Sequence, residues 1–95
     1  MANYRLSEEA KKDLIRIHRY GLAKFGMDQA DHYFHSFFEY FDLIAQQPFS
    51  FESIDYIKKG YRRCVCGVDS IYFKINKNVV EIMAIVGRQD LNQKL

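Results

Sequence analysis

Apolar residues in the first half of the chain recur at three- and four-residue intervals, and in the second half at every other position. Ala10, Leu14, Ile17, Gly21 and Phe25 form one stripe, widened by Ile15, His18 and Leu22, while Lys12, Arg16 and Arg19 fall on the far side. That period belongs to an amphipathic helix. Ser7 is a suitable N-cap, with Glu8 and Glu9 in the first turn where the helix dipole favours acids, and Gly26 supplies a stop. Asp28 then restarts a helix as its N-cap, with Asp31 echoing a capping box. Ala30, Phe34, Phe37, Phe41 and Ile44 form its buried stripe, flanked by Tyr33, Tyr40 and Ala45, and Pro48 ends it. So short a connection predicts two antiparallel helices.

The segment PFSFESIDYIKKG reads as a loop with at most one turn of structure. Beyond it the period falls to two. YRRCVCG, SIYFKI and VVEIMAIV are three strands, separated by a turn at Gly67 to Asp69 and by the turn chemistry of NKN. With NYRL as a short strand before Ser7, the predicted order is strand, helix, helix, strand, strand, strand. The fold class is α+β: an antiparallel helical hairpin packed on one face of a sheet whose last three strands form an antiparallel meander.

At 95 residues, with 48% hydrophobic side chains, one proline and no linker or repeat, the chain is expected to be one domain over 1–95. No apolar stretch has the length of a signal peptide or a membrane span, so a cytoplasmic location is expected. Charge is distributed unevenly. Residues 1–56 hold six lysines and arginines against nine acids, and residues 57–95 hold eight against three. A basic half of this kind suits an acidic partner, whether nucleic acid or an acidic protein surface.

Candidate chemistry is sparse. Asp28, His32, His35 and Glu39 share one helical face opposite the phenylalanines and could in principle hold zinc, but the arrangement reads better as a solvated face, because one exposed helix gives the ligands no supporting shell. Cys64 and Cys66 stand on one side of a strand, too far apart to bridge each other, and read as small buried hydrophobes. His18 reads as a structural histidine. There is no nucleophile elbow, phosphate loop or helical zinc motif, and neither a metal nor a cofactor is expected. What remains is basic: Lys58, Lys59, Arg62, Arg63, Lys74 and Arg88, expected to gather around one end and rim of the sheet. Arg88 follows Gly87 where the backbone must leave the sheet.

YRLSEEAKKDLIRIHRYGLAKFG, QADHYFHSFFEYFDLIAQQP, GYRRCVCGVDSIYFKI and VVEIMAIVGRQD, in that order, together resemble the ParE branch of the RelE/ParE superfamily of bacterial toxin–antitoxin modules. Gly87-Arg88-Gln89-Asp90 and the Gly60-x-Arg62-Arg63 opening are the most telling short matches. The resemblance implies a toxin that binds DNA gyrase and traps its cleaved DNA complex, blocking replication, and that is neutralised by a ParD-like antitoxin. It assigns Arg62, Arg63, Arg88, Leu91 and Leu95 to target binding, and Phe34, Phe37 and Phe41 to the antitoxin side. No catalytic residue is assigned. RelE-like relatives cut messenger RNA on the ribosome and need a general base; the stretch Ile85 to Leu95 carries neither histidine nor tyrosine, and arginine stays protonated. Tyr61 or Tyr72 could substitute. The alternatives are therefore a ribosome-dependent endoribonuclease or an inactive relative that only binds its antitoxin.

Overall fold

A computed structural model describes residues 3–87. Strand β1 (Tyr4–Leu6) leads into helix α1 (Glu8–Phe25), which is followed by helix α2 (Met27–Gln46). A short 3-10 turn (Pro48–Ser50) then precedes β2 (Glu52–Ser53), β3 (Tyr61–Cys66), β4 (Asp69–Asn76) and β5 (Val79–Gly87). The sheet order is β1-β5-β4-β3-β2. β3, β4 and β5 make the expected antiparallel meander, while β1 lies parallel to β5 with Tyr4 opposite Val80.

The helices form where the sequence places them, with local differences. The Ser7 hydroxyl accepts from the Ala10 amide, a cap that contributes about 1 kcal/mol. Gly26 ends α1 and also opens α2, so Asp28 lies in the first turn and is not the cap. One residue makes the whole reversal, and its φ of 92° is a conformation glycine adopts without the penalty of a Cβ. Close packing continues beside the turn: a Cβ on Gly21 would stand 3.2 Å from that of Ala30.

The loop expected at 48–60 contains the 3-10 turn and β2, which pairs antiparallel with β3 through Glu52 and Arg63 and adds a fifth strand at the edge. Two residues are too few to show a period of two, so the strand left no pattern in the sequence.

The main core lies between the helices and the sheet. Ala10, Leu14, Ile17, Phe37, Phe41 and Ile44 meet Cys64, Cys66, Ile71, Phe73, Val80, Ile82 and Ile85. A second, smaller cluster collects Ile54, Tyr61, Tyr72, Ala84 and Val86 on the other face. The α1 stripe is narrower than its period implies, because Ile15, Leu22 and Phe25 are exposed; the distal part of the hairpin extends past the sheet and has nothing to bury them.

The side chain missed at the sequence level is Asp13, which is 2% exposed. β1 stops at Leu6, opposite Ile82, leaving the outer edge of β5 beyond that point without a strand neighbour. Side chains of α1 take its place. The Ser7 amide donates to the Ile82 carbonyl at 3.0 Å, and the Ser7 hydroxyl donates to the Met83 carbonyl at 2.9 Å, where the β4–β5 register shifts. Asp13 Oδ2 accepts from the Ile85 amide at 2.9 Å, and Arg16 donates to the Ile85 carbonyl at 3.2 Å. Arg16 also pairs with Asp13 at 3.5 Å, so it is not on the far side of the helix as the apolar stripe implied.

Candidate functional site

Neighbouring residues of a strand point to opposite faces, and this separates the two arginines of β3. Arg62 is on the helix side with Cys64 and Cys66. It donates to the Phe51 carbonyl at 2.7 Å, and its guanidinium carbon lies 5.0 Å from the Phe49 ring centroid. Arg63 is on the other face, where its Nε donates to Glu52 at 2.8 Å. Glu52 first, and the Tyr72 hydroxyl second, hold Arg63 more firmly protonated than an ordinary arginine. The same pair holds the Glu52 carboxyl below its usual range, the hydrogen bond from Arg63 being the main cause. Each arginine is therefore directed by a partner within the chain.

The basic residues do not gather at one end. Arg62 is opposite Phe73, and Phe73 is opposite Ile82. From Ile82 to Gly87 the strand advances roughly 15 Å, so Arg62 is far from the point where the chain continues toward Arg88. Lys58, Lys59 and Lys74 belong to the opposite end, since Tyr61 pairs with Lys74. Arg88, Leu91 and Leu95 lie outside the described residues.

Gly87 borders a groove of about 600 Å³ between the helical hairpin and the β3–β4 turn, lined by Arg16, Tyr20, Phe25, Tyr33, Val68 and Gly87 among others. Tyr33 holds the turn against α2. Its hydroxyl lies 2.8 Å from Asp69 Oδ2 and 3.0 Å from the Cys66 carbonyl. Burial first, and the bond to Asp69 second, push its phenol well above the ordinary range, so Tyr33 is a fixed donor and a poor base. Gly67 is required twice in that turn: its φ is 62°, and a Cβ there would stand 2.9 Å from the Tyr33 hydroxyl.

Of the antitoxin-side phenylalanines, Phe37 and Phe41 are fully buried in the core and present no surface. An unbroken aromatic stripe cannot distinguish residues packed on the sheet from those beside it. Phe34 is half-buried, with its ring 5.1 Å from that of His18. Exposed apolar surface lies instead on Ile15, Tyr20, Leu22, Phe25 and Met27. His18 is the structural histidine expected, 2.7 Å from Asp31 on α2.

Chemically, this arrangement binds better than it transforms. All three histidines, His18, His32 and His35, sit on the helices, away from the face that carries Arg63. Tyr61 and Tyr72 are buried in the smaller cluster as packing residues. Among the described residues no three histidines, cysteines or acids stand together to hold a metal ion. Cys64 and Cys66 are buried free thiols, each pushed up to about 11 by burial.

The family model for the ParE toxin of the type II toxin–antitoxin system parDE matches residues 4–91. The chain belongs to the ParE toxin family. Within it, this ParE-type toxin is 31% identical to Toxin ParE1 of Caulobacter vibrioides over 94 residues, covering 99% of this chain and 96% of that protein. A solved structure described as the chromosomal ParDE TA system from P. aeruginosa superposes with a TM-score of 0.81 at 17% identity, covering 92% of this chain and 96% of the other. At that identity the superposition establishes the shared fold, including both helices and the mixed sheet. Among the described residues, no helix of this ParE-family chain is long and apolar enough to cross a membrane.

Proposed function

We propose that this ParE-type toxin acts in the cytoplasm by binding DNA gyrase and stabilising its cleaved DNA complex, and that a ParD-like antitoxin neutralises it. Family membership across residues 4–91 is the observation that carries the reading. The face bearing Arg63 supports binding over catalysis: its arginine is paired with Glu52, its tyrosines are packed, and no imidazole accompanies them. The target-binding surface combines Arg63, and Arg62 at the sheet edge, with Arg88, Leu91 and Leu95.

For the antitoxin, the docking surface is the exposed apolar side of the hairpin, Ile15, Leu22, Phe25 and Met27, extending to the half-buried Phe34. This surface is on the helical layer, so a partner that folds over it can bury it without contesting the Arg63 face. Ordering such a partner costs conformational entropy, which the apolar contact offsets.

The deciding experiment incubates purified toxin with gyrase, supercoiled DNA and ATP, then quenches with detergent and protease. Accumulated linear DNA is the expected result. Unchanged DNA together with codon-phased cuts in translated messenger RNA would overturn the proposal in favour of a ribosome-dependent endoribonuclease. Inertness in both assays would leave an antitoxin-binding relative without toxicity.

A further inference from the structure

The end of the sheet farthest from Gly87 carries a charge pattern that neither the fold nor the gyrase reading uses. Loop 54–60 joins β2 to β3, and the turn between Asn76 and Val79 joins β4 to β5; both lie at this end because Tyr61 pairs with Lys74 and Asn76 with Val79. They present Lys58, Lys59 and Lys77, all exposed, with Tyr56 75% exposed beside the first two. Lys58 Nζ lies 5.2 Å from the centroid of the Tyr61 ring, which leaves its charge facing solvent over an apolar base.

The nearby carboxylates are already engaged. Asp55 accepts from the Gly60 amide at 2.7 Å, inside its own loop. Glu52 is bound to Arg63. Glu81 lies 3.4 Å from Arg5 and 4.0 Å from Lys74. On the helical layer, Asp42 is near Tyr4, across the sheet at the β1 edge. Among the described residues, no ion pair involves Lys58, Lys59 or Lys77. The balance at this end is positive and unspent, and flexible ammonium groups on two adjoining loops suit an extended row of anions.

We infer that Lys58, Lys59 and Lys77 contact the phosphate backbone of a nucleic acid, without reading its sequence. A polyanion of regular charge spacing fits three dispersed lysines better than an acidic peptide does, because no rigid bidentate donor fixes a carboxylate here. The inference goes beyond the gyrase reading and stands without it.

The test is fluorescence anisotropy of the full chain with a labelled duplex DNA and a labelled single-stranded RNA, titrated between 50 and 200 mM salt, with circular dichroism confirming the fold. Replacing the three lysines together (Lys58→Gln, Lys59→Gln, Lys77→Gln) should weaken binding at least about tenfold at low salt. For the duplex it should also reduce the log K versus log salt slope by about two to three, near 0.9 per phosphate released. A control with the same net charge, Lys12→Gln, Arg19→Gln and Lys24→Gln on α1, should bind like the parent. Preference for the duplex identifies DNA as the source of the phosphates, and preference for the single strand identifies RNA; either supports the inference. It is overturned if the parent binds neither, if the loop variant binds within twofold of the parent, if the control loses as much, or if the loop variant loses affinity only for an acidic antitoxin segment. Gyrase poisoning that fails while this binding persists rejects the proposed function and leaves the inference in place.

Discussion

Asp13 offers the sharpest test of how the last strand is held. In Asp13→Ala the Ile85 amide loses its acceptor inside a helix–sheet interface, and an unsatisfied buried donor costs about 1–3 kcal/mol. Arg16 loses its ion-pair partner as well, which adds little, because its side chain is half exposed and solvent screens the pair. The total is about 2–4 kcal/mol. For a domain of this length each kcal/mol moves the melting temperature by about 4–8 °C, so the expected fall is about 10–25 °C. Asp13→Asn keeps a carbonyl oxygen where Oδ2 stands, and it should cost about 1 kcal/mol. Thermal melts followed by circular dichroism measure both variants, and hydrogen exchange at the Ile85 amide localises the effect: protection should drop sharply for alanine and modestly for asparagine. If alanine melts within about 2 °C of the parent, or asparagine does the same damage as alanine, the account of Asp13 as a replacement for a missing strand neighbour is wrong.

Gly67→Ala should destabilise by about 1–3 kcal/mol from strain at positive φ and the approach to Tyr33; combining it with Tyr33→Phe should recover part of that loss in a double-mutant cycle, because the hydroxyl is the first atom met. The two cysteines should react with a thiol reagent at pH 8 far more slowly in the native chain than in denaturant. Their folded values near 11 lie above the model value of 9.0, so the folded state holds protons that the unfolded state has released, and stability present below pH 9 should be lost as pH rises toward 11 in denaturant titrations. Arg88→Ala should reduce growth inhibition at least about tenfold while the protein stays folded and antitoxin-bound; undiminished toxicity in a plating assay would remove Arg88 from the target-binding surface.

Much of the architecture was legible because its signals are local. The helical period, the Ser7 cap, the Gly26 stop and the alternation through β3, β4 and β5 each act within a few residues, and each reappears in the fold. Signals that depend on tertiary placement were not legible. Asp13 lies on the buried stripe of α1, yet nothing in its neighbourhood announces that the amide it satisfies belongs to Ile85, 72 positions away. β2 is too short to carry a pattern. Phe37 and Phe41 could be read as a partner's docking site only while the sheet that covers them was undefined. Arg62 and Arg63, adjacent in sequence, were assigned to one surface, although alternation along a strand sends them to opposite faces, and that part could have been found from the period alone.

Parallel pairing of Tyr4–Leu6 with Val80–Ile82 has a further consequence for how the molecule comes into being. The opening strand cannot find its place until the closing one exists, and the α1 groups that grip β5 wait with it. The hairpin of helices can assemble early from short-range contacts, whereas closure of the sheet belongs to the last moments of synthesis. A chain cut short before Val79 therefore lacks both the floor beneath its phenylalanines and the strand that leads to Gly87, so incomplete copies are harmless by construction.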